Sequence, residues 1–167
     1  GVIGVGNFSR NTHIPNLSRH KGYHLKALCS ATGMTAASVA KMYACDYVTT
    51  DYKEILADPN VDMVLIATRH NLHAKLTCEA AEAGKHVFVE KPLCLNREEL
   101  TAIAEAAEAS TGILTVGFNR RFSPCLKDVI KHFDGRGEPL SMSYRINAGR
   151  IPLEGPDGWL HDPAIGG

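Results

Sequence analysis

Six short apolar runs alternate with helix-patterned segments along this chain, and that alternation restricts the fold more than any other feature. The runs are Val2 to Val5, Leu25 to Cys29, Tyr47 to Thr49, Met63 to Ala67, His86 to Val89 and Leu114 to Gly117. Most are too uniformly apolar to have a wet face, so they read as strands covered on both sides. Helix signals stand between them. Asp51 with Glu54 and Asn96 with Glu99 have capping-box spacing, in which a side chain accepts from an orphan N–H while the acid reaches back, and both are expected to open short helices. Leu72, Leu76, Ala80 and Ala83 share one helical face, with Gly84 placed as a left-handed stop. Such alternation with short loops makes right-handed β-α-β crossovers. The expected class is therefore α/β, a doubly wound parallel sheet.

The pattern changes after Arg121. Pro124 can open a helix through Phe133, which Gly135, Gly137 and Pro139 then break, and Leu140 to Ala148 reads as a longer strand. The tail from Gly149 to Gly167 contains five Gly and three Pro and has no periodicity. At roughly 150 residues per domain, 167 residues allow one domain and a remainder. Residues 1–122 are accordingly expected to form the first domain, and residues 123–167 the beginning of an incomplete α+β second domain. With no initiator Met and an apolar strand directly after Gly1, the natural start is expected upstream; Ile165-Gly166-Gly167 likewise stops without a closing helix or strand.

Charge and cysteine usage narrow the class of partner. Eighteen Lys and Arg balance eighteen Asp and Glu, which gives no electrostatic case for nucleic acid or an anionic membrane. No apolar run approaches the roughly 18 residues of a membrane span. A small-molecule partner is the expectation. The five cysteines lie sixteen or more residues apart with no C-x-x-C pair, so zinc ribbons and dithiol redox motifs are out. Unpaired thiols and the lack of a charged leader before an apolar segment favour a reducing cytoplasm.

The first strand runs into Gly4-Val5-Gly6-Asn7-Phe8-Ser9, a G-x-G-x-x-S variant of the dinucleotide fingerprint. Gly4 permits the tight turn, Gly6 lets the backbone approach a pyrophosphate, and small Ser9 permits close packing at the positive helix N-terminus. A tight turn with no ligand would look similar, but strand, turn and helix stand in the required order. This makes the fold Rossmann-type and Gly4, Gly6, Asn7 and Phe8 candidate cofactor contacts.

An acid that binds the ribose is expected about 20 residues further on, where this chain has Ser30 followed by Ala31-Thr32-Gly33. No carboxylate accepts from a ribose 2′-OH or repels a 2′-phosphate there, so NADP stands beside NAD as a candidate cofactor. No Arg stands in the loop to grip a phosphate, although Arg10 lies next to the fingerprint. Ser30 and Thr32 equally suit plain turn residues, which leaves the choice of cofactor open.

Ligands of open α/β sheets bind at the carboxyl ends of strands, and two further groups of residues fall there. Ala67-Thr68-Arg69-His70-Asn71-Leu72-His73 follows the fourth strand. His70 and His73 have the i, i+3 spacing of a metal pair, but no third ligand is near in sequence, so no metal is assigned and His73 is expected to face the cleft. Val89-Glu90-Lys91-Pro92 ends the fifth strand. Lys91 would project beside the nicotinamide end of a cofactor laid over Gly4 and Gly6, with Glu90 as the nearest counter-charge in sequence; a solvated turn lysine is the plain alternative.

Taken together, the fingerprint, Ala67-Thr68 to His73, Ala83-Gly84-Lys85-His86-Val87 and Glu90-Lys91-Pro92-Leu93 resemble the glucose-fructose oxidoreductase/inositol dehydrogenase (Gfo/Idh/MocA) family. Gly117-Phe118-Asn119-Arg120-Arg121-Phe122 resembles that family's exit from the cofactor domain. The resemblance implies an NAD(P)-dependent oxidoreductase that transfers a hydride between the nicotinamide and a sugar, cyclitol or related polyol, homo-oligomeric at full length. It further implies that Gly4, Gly6 and Asn7 meet the pyrophosphate and that Thr68 and His73 line the nicotinamide side. Glu90 and Lys91 match the family's E-K-P, whose lysine contacts substrate and the nicotinamide ribose, which makes Lys91 the candidate catalytic residue. Arg69-His70 departs from the usual Pro-Asn, and Ser30 from the commonly acidic position. The family's proton acceptor follows a Gly-Gly-rich stretch such as Gly166-Gly167, so it is expected beyond this chain, and His161, in Trp159-Leu160-His161-Asp162-Pro163, is not taken as the base. The rivals are a non-catalytic nucleotide-sensing module on the same fold, which Glu90-Lys91-Pro92 argues against, and a methyltransferase using S-adenosylmethionine, which would not explain that motif.

Overall fold

Two residues make β1 (Val2–Ile3), and it is nonetheless the centre of the sheet, because Val2 pairs with Leu28 on one side and with Leu65 on the other. The computed structural model describes residues 1–147, 149 and 158–166. β2 (Ala27–Cys29), β3 (Tyr47–Thr49), β4 (Met63–Ile66), β5 (His86–Glu90) and β6 (Leu114–Gly117) complete six strands in the order β3-β2-β1-β4-β5-β6, every pair parallel. The six strands expected for the sheet are all present, three of them trimmed by a residue or two at one end and β5 extended by one.

The period-two alternation of side chains sends neighbours in each strand to opposite cores. Val2, Leu28 and Leu65 meet Ile14 of α1 (Ile14–Arg19) and Ala36 and Val39 of α2 (Met34–Met42). Ile3, Cys29, Val64, Ile66, Val87 and Val89 meet Ile55 of α3 (Tyr52–Ala57) and Leu76 and Ala80 of α4 (His73–Glu82). Both faces are therefore covered, which is what continuous apolar runs require, and each fully buried Ile, Leu or Val contributes roughly 1.5–3 kcal/mol. The edge strands are the exception: Val48 and Thr115 face solvent.

Local signals fare unevenly. Asp51 caps α3 by accepting from Lys53 N at 2.9 Å. Asn96 accepts from Glu99 N at 2.8 Å, but Glu99 reaches back to Leu95 N rather than to Asn96, and α5 (Arg97–Ala109) has thirteen residues instead of being short. In α4 the buried set is His73, Ala74, Leu76, Thr77, Ala80 and Ala81, while Leu72 and Ala83 are exposed, so the inward face is rotated from the one the leucines suggested. Gly84 stops that helix at φ +72°, as expected.

Contacts divide the chain into a unit of Gly1–Gly117, to which Gly166 adds, and a second unit covering Phe118–Ile165. In the second, Pro124 does open a helix, α6 (Pro124–Phe133), capped by Ser123 Oγ accepting from Leu126 N at 3.2 Å. The strand expected over Leu140–Ala148 is not formed at residues 140–147, and Ala148 lies outside the described residues. A strand takes its hydrogen bonds from a neighbour, and no segment pairs with this one among the described residues. Most of the tail also lies outside them; Gly158–His161 is a short 3-10 turn. No helix among the described residues is long and apolar enough to cross a membrane.

Candidate dinucleotide site at the carboxyl edge of the sheet

Gly4, Ser30, Thr68 and Lys91 lie just beyond β1, β2, β4 and β5, so the parallel sheet brings them to one edge. β1 and β4 flank the point where the strand order reverses, the place at which doubly wound sheets open a crevice. Gly4 is indispensable there for two reasons. Its φ is +98°, and a β-carbon would stand 2.6 Å from Ala67 C and O, just beyond β4. A tight turn accounts for the first reason, and only the packed structure reveals the second.

Gly6 differs. It is exposed, and nothing lies within 4 Å of the position its β-carbon would take. Gly6 O accepts from Arg10 N at 3.0 Å and so starts the following helix, whose earliest N–H groups have no partner within the helix. Arg10 donates from its guanidinium to Asn7 Oδ1. Phe8 is exposed, and Ser9 is buried with no partner for its Oγ. Asn7-Phe8 runs into a wide π segment, Ser9–His13, before α1 begins. Pro15 supplies the reason, for it has no N–H to give Asn11 and its ring would strike that carbonyl in a regular turn.

His13, which sequence reasoning missed, closes that π segment. Its Nε2 lies 2.8 Å from Glu90 Oε1, and its ring stands edge-on to Phe8 and to Phe88. The available signals were its place four residues after small Ser9 and two before Pro15. Glu90 is buried, and its other oxygen, Oε2, accepts from Lys91 N at 3.2 Å. Its side-chain partner is thus His13, while from the lysine beside it the carboxylate takes the backbone N–H. Lys91 itself is exposed, and the Lys91-Pro92 peptide is cis.

His73 corrects the cleft-facing expectation. It is 1% exposed; Nδ1 donates to Pro92 O at 2.6 Å, and Nε2 lies 3.3 Å from Thr68 O. Its imidazole fastens the loop after β4 to the loop after β5. His70 meets His73 edge-to-face, and burial pushes its imidazole below the usual histidine range, with the positive charge of Lys91 and Arg69 acting in the same sense. Ser30 N donates to Thr49 O at 3.3 Å and Ser30 O accepts from Gly33 N at 3.2 Å, which leaves a buried Oγ without a partner.

The open volume at Gly6, the unpartnered N–H groups of a helix start and the orphaned hydroxyl of Ser30 fit the diphosphate and one ribose of a dinucleotide. Fold and site together define a dinucleotide-binding Rossmann domain. The family described as an oxidoreductase family with an NAD-binding Rossmann fold, Gfo/Idh/MocA, matches residues 1–118, and the chain belongs to it. It is 38% identical over 122 residues to scyllo-inositol 2-dehydrogenase (NAD(+)) of Bacillus subtilis, covering 71% of this chain and 36% of that protein. It is 35% identical over 149 residues to inositol 2-dehydrogenase of Rhizobium meliloti, covering 87% and 44%. Levoglucosan dehydrogenase in complex with NADH superimposes with a TM-score of 0.67 at 30% identity, over 80% of this chain and 38% of that one. The chain spans between 31% and 44% of the length of the curated relatives it matches.

Proposed function

We propose that this chain is the cofactor-binding part of an NAD-dependent dehydrogenase acting on a cyclitol, sugar or related polyol. The observation that carries the reading is the convergence of Gly4, Gly6, Ser30, Thr68 and Lys91 on one sheet edge, in a chain similar to inositol and levoglucosan dehydrogenases. When bound, the dinucleotide supplies the two-electron redox step at nicotinamide C4. Gly6, Asn7 and Phe8 hold its diphosphate, and Ser30 hydrogen-bonds the adenosine ribose with no carboxylate to repel a 2′-phosphate, so NADP is accepted as well. Thr68 borders the nicotinamide, and His73 acts from behind by fixing the Thr68 and Pro92 loops. Lys91 orients the reacting substrate oxygen and polarises it as charge develops; Glu90 fixes the backbone from which Lys91 projects. Five free cysteines fit a reducing, cytoplasmic compartment, and the full-length protein is a homo-oligomer in this reading.

Fluorescence titration of the chain with NADH and NADPH tests the first half, and oxidation of scyllo-inositol, myo-inositol and levoglucosan by the full-length protein tests the second. Lys91→Met is expected to lower kcat/KM by at least about a hundredfold while leaving NADH affinity nearly intact. A protein that binds NADH and oxidises none of these polyols would be a nucleotide-sensing module instead.

A further inference from the structure

We propose that His13 is a positioning residue for Lys91, acting through Glu90. The proposal deepens the reading above and rests on it for the role of Lys91. The register of β5 ends at the pair Glu90↔Gly117, so Lys91 is the first residue beyond the ladder, and its N–H is held by the Glu90 carboxylate at 3.2 Å. That carboxylate is 10% exposed and has a partner on each oxygen: Lys91 N on Oε2 and His13 Nε2, at 2.8 Å, on Oε1. A buried carboxylate that loses a partner turns toward water, because leaving an oxygen unsatisfied is costly. Loss of His13 therefore frees Glu90 and, with it, the Lys91 backbone.

The ring of His13 is itself fixed, edge-on to Phe8 at 5.0 Å and to Phe88 at 5.6 Å. Phe8 belongs to the fingerprint turn and Phe88 to β5. The segment that begins at the diphosphate cradle is thus tied through one imidazole to the residue that carries the reacting amine. A motif search treats the glycine turn and Glu90-Lys91-Pro92 as separate signals, whereas the side chains join them.

Two measurements decide the proposal. In the 167-residue chain, the Lys91 amide is expected to exchange hydrogen about tenfold faster in His13→Phe than in the unmodified protein, and at the original rate in His13→Gln, whose amide N–H reaches the same oxygen. Should His13→Phe not fold, His13→Asn, too short to reach Glu90, replaces it. Unchanged Lys91 exchange in a folded variant overturns the proposal. In the full-length protein, His13→Phe is expected to lower kcat for scyllo-inositol about tenfold, with NADH affinity within about twofold and with recovery in His13→Gln. Weakened NADH binding at unchanged kcat would overturn it in favour of a cofactor contact. If the unmodified full-length protein oxidises no polyol, the dehydrogenase reading fails by itself, and the exchange rates still decide whether His13 holds Lys91.

Discussion

The carboxylate of Glu90 fills the space in front of Gly117: a β-carbon on that glycine would lie 2.8 Å from Glu90 Oε1 and 3.2 Å from Oε2. Ala at 117 must therefore displace a group tethered on both sides. Gly117→Ala is expected to cost about 1 kcal/mol in urea unfolding. The cost should shrink in a Glu90→Ala background, where the collision no longer exists; equal costs in both backgrounds would show that Gly117 is not there to admit the carboxylate.

The two fingerprint glycines are expected to fail in different ways. Gly4→Ala meets the Ala67 backbone at 2.6 Å with φ at +98°, so it should lower stability by several kcal/mol, on the order of 2–4. Gly6→Val sets its β-carbon where no protein atom lies within 4 Å, and it should leave Tm within a few degrees while weakening NADH binding at least about tenfold. Thermal melts and NADH titrations on both variants separate the effects. Unaltered NADH affinity in folded Gly6→Val would remove Gly6 from the diphosphate site.

Ser30→Asp is expected to shift preference from NADPH toward NADH, since a carboxylate at this edge accepts from a ribose 2′-OH and repels a 2′-phosphate. The hydroxyl it replaces has no protein partner to lose. Titrating both cofactors against both proteins reads the ratio, and an unchanged ratio would take Ser30 out of the ribose contact.

Burial pushes the Cys29 thiol up to about 11, and the negative charges of Asp51 and Glu54 act in the same direction. Near about pH 8, where an ordinary thiol titrates, Cys29 should resist iodoacetamide in the native protein while exposed Cys125 is carboxamidomethylated, as peptide mass spectrometry would show. The sign of the linked stability follows from an acid whose native pKa is raised. Its contribution is fully present below the unfolded thiol's pKa, about 8.5, and is lost as pH rises through about 11. Tm should fall across that window, and less so in Cys29→Ala. A flat profile in both would mean that Cys29 does not ionise on unfolding.

Much of the sheet was legible because buried parallel strands have to be apolar on both faces, and Val64 to Ile66 or Val87 to Val89 leave little other choice. The capping residues Asp51 and Asn96 were legible for a similarly local reason, each closing a bond within a few residues. What failed depended on partners distant in sequence. Leu140 to Asn147 has strand-like composition but finds no strand to pair with among the described residues. His73 looked available because its spacing from His70 was visible, whereas Pro92 O, nineteen residues away, was not. His13 was missed because only folding sets it against Glu90, seventy-seven residues on.

The central position of β1 sets an order of assembly during synthesis. Val2 needs Leu28 on one side and Leu65 on the other, and Gly4 packs against the backbone of Ala67 and Thr68. A nascent chain that has cleared the ribosome only through β3 can form half of the sheet, but its glycine turn still lacks the wall that shapes it. Emergence of β4 is therefore the event that completes the turn, and a pause in translation after β3 has emerged but before β4 has would prolong the life of an open, apolar sheet edge.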